Sequence, residues 1–156
     1  MSVRLLDVNV LVSLLDSAHV HHGVAVEWFR RVAAVEGWAT CPITENGFIR
    51  VVSQRSYPNL QLTPAMAAVS LVRFKDAWAG IHRFLPDEIS LTDLELFDLS
   101  VLTGARQITD AYLAGLAFRK GGRLATLDGG IPWQAVCGAD AGLVERIIGA
   151  GVRLKN

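Results

Sequence analysis

RLLDVNVLVSLLD, residues 4–16, places two apolar runs on either side of a single carboxylate, Asp7. The polar break divides the stretch. VRLLD (3–7) reads as a buried strand, and VNVLVSLLD (8–16) as the apolar helix that follows it. A carboxylate taken out of water is costly unless it is protonated, paired or bound to a metal. Asp7 therefore requires partners from elsewhere in the chain.

Working outward, residues 20–36 carry Ala25, Trp28, Phe29 and Val32 at i, i+3, i+4 and i+7, one apolar helix face. WATCP (38–42) reads as a second short strand stopped by Pro42, with Thr44 capping a helix that runs to about Gln54. LTPAMAAVSLVRFKDAW (62–78) opens a helix with Thr63 as N-cap and Pro64 in the first turn, where a missing N–H does no harm. LELFDLSVLTG (94–104) reads as a helix ended by Gly104, and TDAYLAGLAFRKGG (109–122) as another with late cations and a glycine stop. GRLATLD (122–128) is a third strand. Strands alternating with helices favour an α/β fold, three layers in α/β/α order around a central, mainly parallel sheet. With no repeat, low-complexity tract or linker, residues 1–156 are expected to form a single domain.

Composition narrows the class. A hydrophobic share of 51% in 156 residues excludes a disordered chain and supplies a sizeable core. No charge-free apolar run reaches the ~20 residues of a membrane span, and no basic-then-apolar leader opens the chain, so a cytoplasmic protein is expected. Cys41 and Cys137, far apart and without metal-ligand spacing, are expected to be reduced and packed. Fifteen basic residues balance fifteen acidic ones, so any nucleic-acid binding must be local.

In open α/β sheets, sites form outside the carboxyl ends of the strands. Asp7 and Asp128 both stand there. Glu45 and Asp110 stand in the first turns of helices whose amino ends face the same edge. Glu45 leads an apolar face of Phe48, Ile49 and Val52, and Asp110 one of Leu113, Ala114 and Ala117. Each acid has an ordinary explanation: Asp7 as an N-cap, Glu45 and Asp110 as complements to a helix dipole, Asp128 as a turn residue before Gly129 and Gly130. Together they predict four carboxylates converging on one edge. Such a cluster repels itself unless cations are present, and hard oxygen donors suit Mg²⁺, with Mn²⁺ the alternative.

With these residues in place, the chain resembles the PIN-domain ribonucleases, and most closely the VapC-type toxins of type II toxin–antitoxin systems. LLDVNVLVSLLD supplies the opening motif with Asp7 and, two places on, Asn9; TENGFIR supplies Glu45; ITDAYLAGLA supplies Asp110; ATLDGG supplies Asp128, preceded by Thr126 in a Ser/Thr-x-Asp position. The resemblance spans essentially the whole chain. His19, His21 and His22 fall outside the acidic set, and a surface role in a connecting loop is expected for them.

The resemblance implies Mg²⁺-dependent endonucleolytic cleavage of RNA, inhibition of translation and growth, a homodimer, and neutralisation by a VapB-type antitoxin that brings a basic side chain to the acidic pocket. Asp7, Asp110 and Asp128 would hold one or two divalent ions. Glu45 would be a further ligand, an orienter of the attacking water, or a general base. Asn9 and Thr126 would fix carboxylate or water positions behind them. Arg50, on the Glu45 helix, is the candidate phosphate contact, and Arg73, Lys75 and Arg83 would extend a basic strip. Trp28, Phe29, Phe74 and Trp78 are expected in the core; any left exposed would offer a groove for an amphipathic antitoxin segment. Two rival readings share part of the pattern. A haloacid-dehalogenase-like phosphatase also opens with a strand and D-x-D, but here VLVS replaces its Gly-Thr. A non-catalytic PIN-like regulator that binds RNA or protein would have no need of the clustered acids.

Overall fold

A computed structural model describes residues 2–149. Its first strand, β1 (Arg4–Leu6), leads through Asp7 into helix α1 (Val8–Leu15). Helix α2 (His22–Trp28), a π turn (Phe29–Ala33) and a short turn α3 (Ala34–Glu36) follow, then β2 (Trp38–Thr40) and α4 (Pro42–Val52). Next come α5 (Pro64–Ala77), β3 (His82–Phe84), α6 (Ile108–Arg119), β4 (Arg123–Thr126) and β5 (Val144–Arg146). All pairings in the five-stranded sheet are parallel, in the order β3-β2-β1-β4-β5. This is the α/β/α architecture expected.

The sheet separates two cores because successive strand residues point to opposite faces. Leu5, Ala39 and Leu124 join Leu113 and Leu116 of α6 on one side; Leu6, Trp38 and Ala125 join α1, α2, α4 and α5 on the other. The strand order explains the position of the site. From β1 the chain winds outward through β2 and β3, then returns to place β4 on β1's other flank, so the winding reverses between β1 and β4. A crevice opens at the carboxyl ends of such a pair. Leu6 lies in register with Ala125, and the Asp7 N–H donates to the Ala125 carbonyl (3.0 Å), which fixes Asp7 beside Thr126.

Several local expectations are corrected. Residues 94–104 form turns, with a single 3₁₀ turn at Leu99–Val101. Asp93 and Asp98 accept backbone N–H groups two residues ahead, an alternative to helical bonding. The segment 20–36 is not one regular helix: the π turn shifts its face, so Ala25, Trp28 and Phe29 are buried but Ala33 takes the inward place expected of Val32. The N-cap of α4 is Cys41, and Thr44 assists from inside the helix by accepting the Cys41 N–H (3.0 Å). Thr63 caps α5 as expected, accepting the Met66 N–H (3.2 Å). Gly121, at φ 66°, ends α6 in a left-handed conformation that favours glycine. Both cysteines are free, but Cys137 is exposed rather than packed. Trp28 and Phe29 are buried, and Phe74 and Trp78 pack half-buried against Phe29, so none stands free as a groove. Among the described residues, no helix is long and apolar enough to cross a membrane.

Candidate active site

Asp7, at the junction of β1 and α1, is buried, with 8% exposure. Its Oδ1 accepts the Val8 N–H (2.7 Å), so the capping role is real. Its Oδ2 accepts the Thr126 hydroxyl across the β1–β4 gap (2.7 Å). Thr126 Oγ1 in turn accepts from Asn9 Nδ2 (3.1 Å) and the Asp128 N–H (3.0 Å), while Asn9 Oδ1 accepts the Leu127 N–H (3.1 Å). Asn9 and Thr126 thus tie the ends of β1 and β4 together and orient Asp7. Asp128 accepts the Gly130 N–H (2.9 Å), the turn contact expected of an acid before two glycines, and it is exposed at the mouth of the site.

Helix α6 brings Asp110 to the same place. Asp7, Asp110 and Asp128 line one cavity of about 400 Å³, together with Asn9, His19 and Tyr57. Burial, reinforced by the charges of Asp7 and Asp128, pushes the Asp110 carboxyl up to about 6. Burial likewise raises Asp7, against the hydrogen bonds that favour its ionised form. Among the described residues, the lining holds three carboxylates and no lysine or arginine.

The three aspartates have the donor chemistry of a hard divalent cation, and their mutual repulsion is relieved by one. Among the described residues, no three acidic, histidine or cysteine side chains are grouped tightly enough to enclose an ion by themselves.

Glu45 does not join them. Its Oε1 accepts from Thr40 Oγ1 (2.6 Å) at the end of β2 and from Lys75 Nζ of α5 (2.7 Å), and His82 Nε2 reaches the same Thr40 hydroxyl (2.9 Å). The structure therefore brings three acids together and holds the fourth one strand over, where Lys75 neutralises it. Lys75 is accordingly engaged in an ion pair, not part of a free basic strip with the exposed Arg73 and Arg83. Exposed Arg50 lines a neighbouring cavity of about 350 Å³ with Val8 and Thr109, the chain neighbours of Asp7 and Asp110.

The histidines separate. His19 lines the acidic cavity, a position its sequence context gave no sign of; His21 is exposed beside it, ring centroids 5.6 Å apart; His22 Nδ1 bonds the Ser13 carbonyl (2.8 Å) and ties α2 to α1. Tyr57 was also missed. Its hydroxyl donates to Asp16 Oδ2 (2.5 Å), and Asn59 Nδ2 donates to the same oxygen (2.7 Å), so buried Asp16 anchors the loop that brings Tyr57 to the cavity.

Comparison with known proteins gives the same assignment. The PIN domain model matches residues 4–135. Ribonuclease VapC39 of Mycobacterium tuberculosis is 43% identical over 141 residues, 90% of this chain and 96% of its own length; Ribonuclease VapC38 of the same organism is 45% identical over 129 residues, 83% and 87% respectively. Among solved structures, the sarcin–ricin-loop-cleaving toxin VapC20 of M. tuberculosis superposes with a TM-score of 0.53 over 85% of this chain and 93% of that one; at 10% identity, that likeness concerns the fold. The parallel sheet, the paired strand ends with their aspartates and the extent of the match together establish that the chain belongs to the PIN-domain family, among the VapC ribonucleases.

Proposed function

We propose that the chain is the toxin of a type II toxin–antitoxin pair, an Mg²⁺-dependent endoribonuclease whose cleavage of RNA inhibits translation and growth. The observation that carries the reading is the cavity shared by Asp7, Asp110 and Asp128, whose lining includes no lysine or arginine among the described residues, with the Asp110 carboxyl raised to about 6. Relatives named ribonucleases at 43–45% identity support the same chemistry.

Asp7, Asp110 and Asp128 would hold the cation, Mg²⁺ or Mn²⁺. When bound, such an ion acidifies an attacking water and offsets charge on the phosphodiester and its leaving oxygen. The chain supplies the rest. Thr126 and Asn9 keep the Asp7 carboxylate facing the cavity, and the β1–β4 hydrogen bonds set its distance from Asp128. Held by Thr40 and Lys75, Glu45 is a positioning residue that braces β2, α4 and α5 at the same sheet edge. Arg50 offers a phosphate contact beside the cavity. A homodimer and a VapB-type antitoxin complete the reading. Met66, Val69 and Val72, about half exposed on α5, supply apolar surface for such contacts.

The test is cleavage of a mixed cellular RNA pool by the purified, antitoxin-free chain with Mg²⁺, with EDTA, and as the Asp7→Asn and Asp110→Asn variants. Cleavage is expected only for the unaltered chain with Mg²⁺. Cleavage that persists in the variants places the reaction elsewhere.

A further inference from the structure

On the far side of Asp128 from Asp7, a larger cavity of about 660 Å³ opens between the end of β4, the end of β5 and the 3₁₀ turn Trp133–Ala135. We propose that it is a nucleotide subsite: it takes one nucleoside monophosphate unit of a single-stranded RNA next to the bond being cut, the base against Trp133 and the phosphate on Arg146. The proposal rests on the ribonuclease reading and assigns part of its substrate recognition.

Position is the first argument. Asp128 lines both cavities, so a ligand in the larger one abuts whatever occupies the acidic one. Arg146 ends β5 in register with Thr126, and therefore stands on the same carboxyl edge of the sheet. The space is within the roughly 300–1,000 Å³ usual for small-molecule sites.

Chemistry is the second. The Arg146 guanidinium lies close against the Gly129 backbone beside Asp128: a Cβ at residue 129 would stand 2.9 Å from its Cζ and Nη1. Yet Arg146 forms no ion pair among the described residues. An exposed guanidinium, unpaired and laid along the wall of a cavity, suits a phosphate. Trp133 is half-buried and packed against the core below it, which fixes its ring while leaving surface for a base. Gln134 adds an exposed amide that both donates and accepts, as base edges require; Gln107, whose Oε1 already accepts the Thr103 N–H (2.7 Å) and hydroxyl (3.1 Å), adds amide donors, and Ile131 is part of the lining. A gap left by packing alone has no need of a positive group, an aromatic face and two amides around one space.

The test combines equilibrium binding and cleavage. Calorimetric titration of the full chain in EDTA with AMP, GMP, CMP and UMP should give saturable binding to at least one. Arg146→Ala and Trp133→Leu should each weaken it about tenfold or more. Inorganic phosphate should compete through Arg146 alone, so its competition survives Trp133→Leu and is lost in Arg146→Ala. On RNA, Arg146→Ala should raise KM or change the base preferred beside the cut, with kcat retained. Because Arg146 is exposed, this variant keeps the test decisive should Trp133→Leu lower stability. Nucleotide binding that ignores both substitutions, or cleavage by Arg146→Ala with unchanged KM and base preference, overturns the subsite. Nucleotide binding that depends on both residues, in a chain that cuts no RNA, keeps the subsite and removes the ribonuclease reading.

Discussion

Asp110 has burial and two like charges acting against its ionisation, and the direction of the shift determines a pH dependence. Its folded carboxyl titrates at about 6, against an ordinary 3.8, so between roughly pH 4 and 6 the cation-free folded chain binds more protons than the unfolded one. Stability of the cation-free protein therefore falls as pH rises through that window and stays at its lower level above it. Asp7, raised in the same direction, adds to the slope. Asp110→Asn should reduce the slope, raise Tm at neutral pH in EDTA and abolish cleavage; Mg²⁺ should raise the Tm of the unaltered chain and not that of the variant. Thermal melts across pH, with and without Mg²⁺, check this, and a Tm that climbs from pH 4 to 6 in EDTA is the contrary result. Thr126 gives a second prediction. Removing the hydroxyl that donates to Asp7 and accepts from Asn9 and the Asp128 backbone should cost Thr126→Val about 10–100-fold in metal affinity or cleavage rate, and Thr126→Ser should restore most of it. Both residues were legible in the sequence: Asp110 leads the apolar face of a helix from its first turn, and Thr126 ends a strand two places before Asp128. Glu45 was legible as an inward-facing acid, but its partners were not: Lys75 is thirty residues away on another helix, and no spacing rule links them.

The central elements announced themselves through length and contrast. β1 and β4 are apolar segments ended by acids, α1 and α6 have matching polarity breaks, and Pro64 and Gly121 mark helix ends by backbone geometry alone. The edge strands did not. β3 reads HRF and β5 reads VER, three residues each and partly exposed, with neither an apolar run nor a full alternation to distinguish them from loop. Residues 94–104 misled for the opposite reason: they are apolar enough for a helix, but their aspartates divert the backbone into turns and Phe97 bridges to Val136. The same Phe97 limits α6. A Cβ on Gly115 would fall 2.2 Å from its ring, so Gly115→Ala must displace a fully buried side chain or the helix that carries Asp110. The expected cost is about 1–3 kcal/mol, read as a lower denaturant midpoint with an unchanged m-value. Cleavage should fall as well, since α6 sets the height of Asp110 over the sheet.

For the molecule as a whole, a formal net charge of zero and an RNA substrate are reconciled by where the charges stand. The acids gather at the β1–β4 crevice, Arg50 lies beside a cavity on one side of it, and Arg146 lines the cavity on the other. On the proposed reading, RNA would meet a local basic contact on each flank of an acidic centre that a bound cation would neutralise, without a positive field over the whole surface. Few phosphate contacts imply modest affinity and a shallow salt dependence, since each phosphate neutralised on a single strand contributes about −0.7 to the slope of log K against log salt. Arg50→Ala should remove one such contact. In a chain made inactive by Asp7→Asn, so that RNA survives the measurement, the slope should shrink by about 0.7, and affinity should fall by a similar factor for RNAs of different sequence, because a phosphate contact carries no base information. Fluorescence anisotropy with labelled oligoribonucleotides over a series of salt concentrations reads both. An unchanged slope would remove Arg50 from the RNA path; a loss confined to one sequence would make it a reader of bases, and the division between Arg50 as an anchor and the Trp133 side as the reader would reverse.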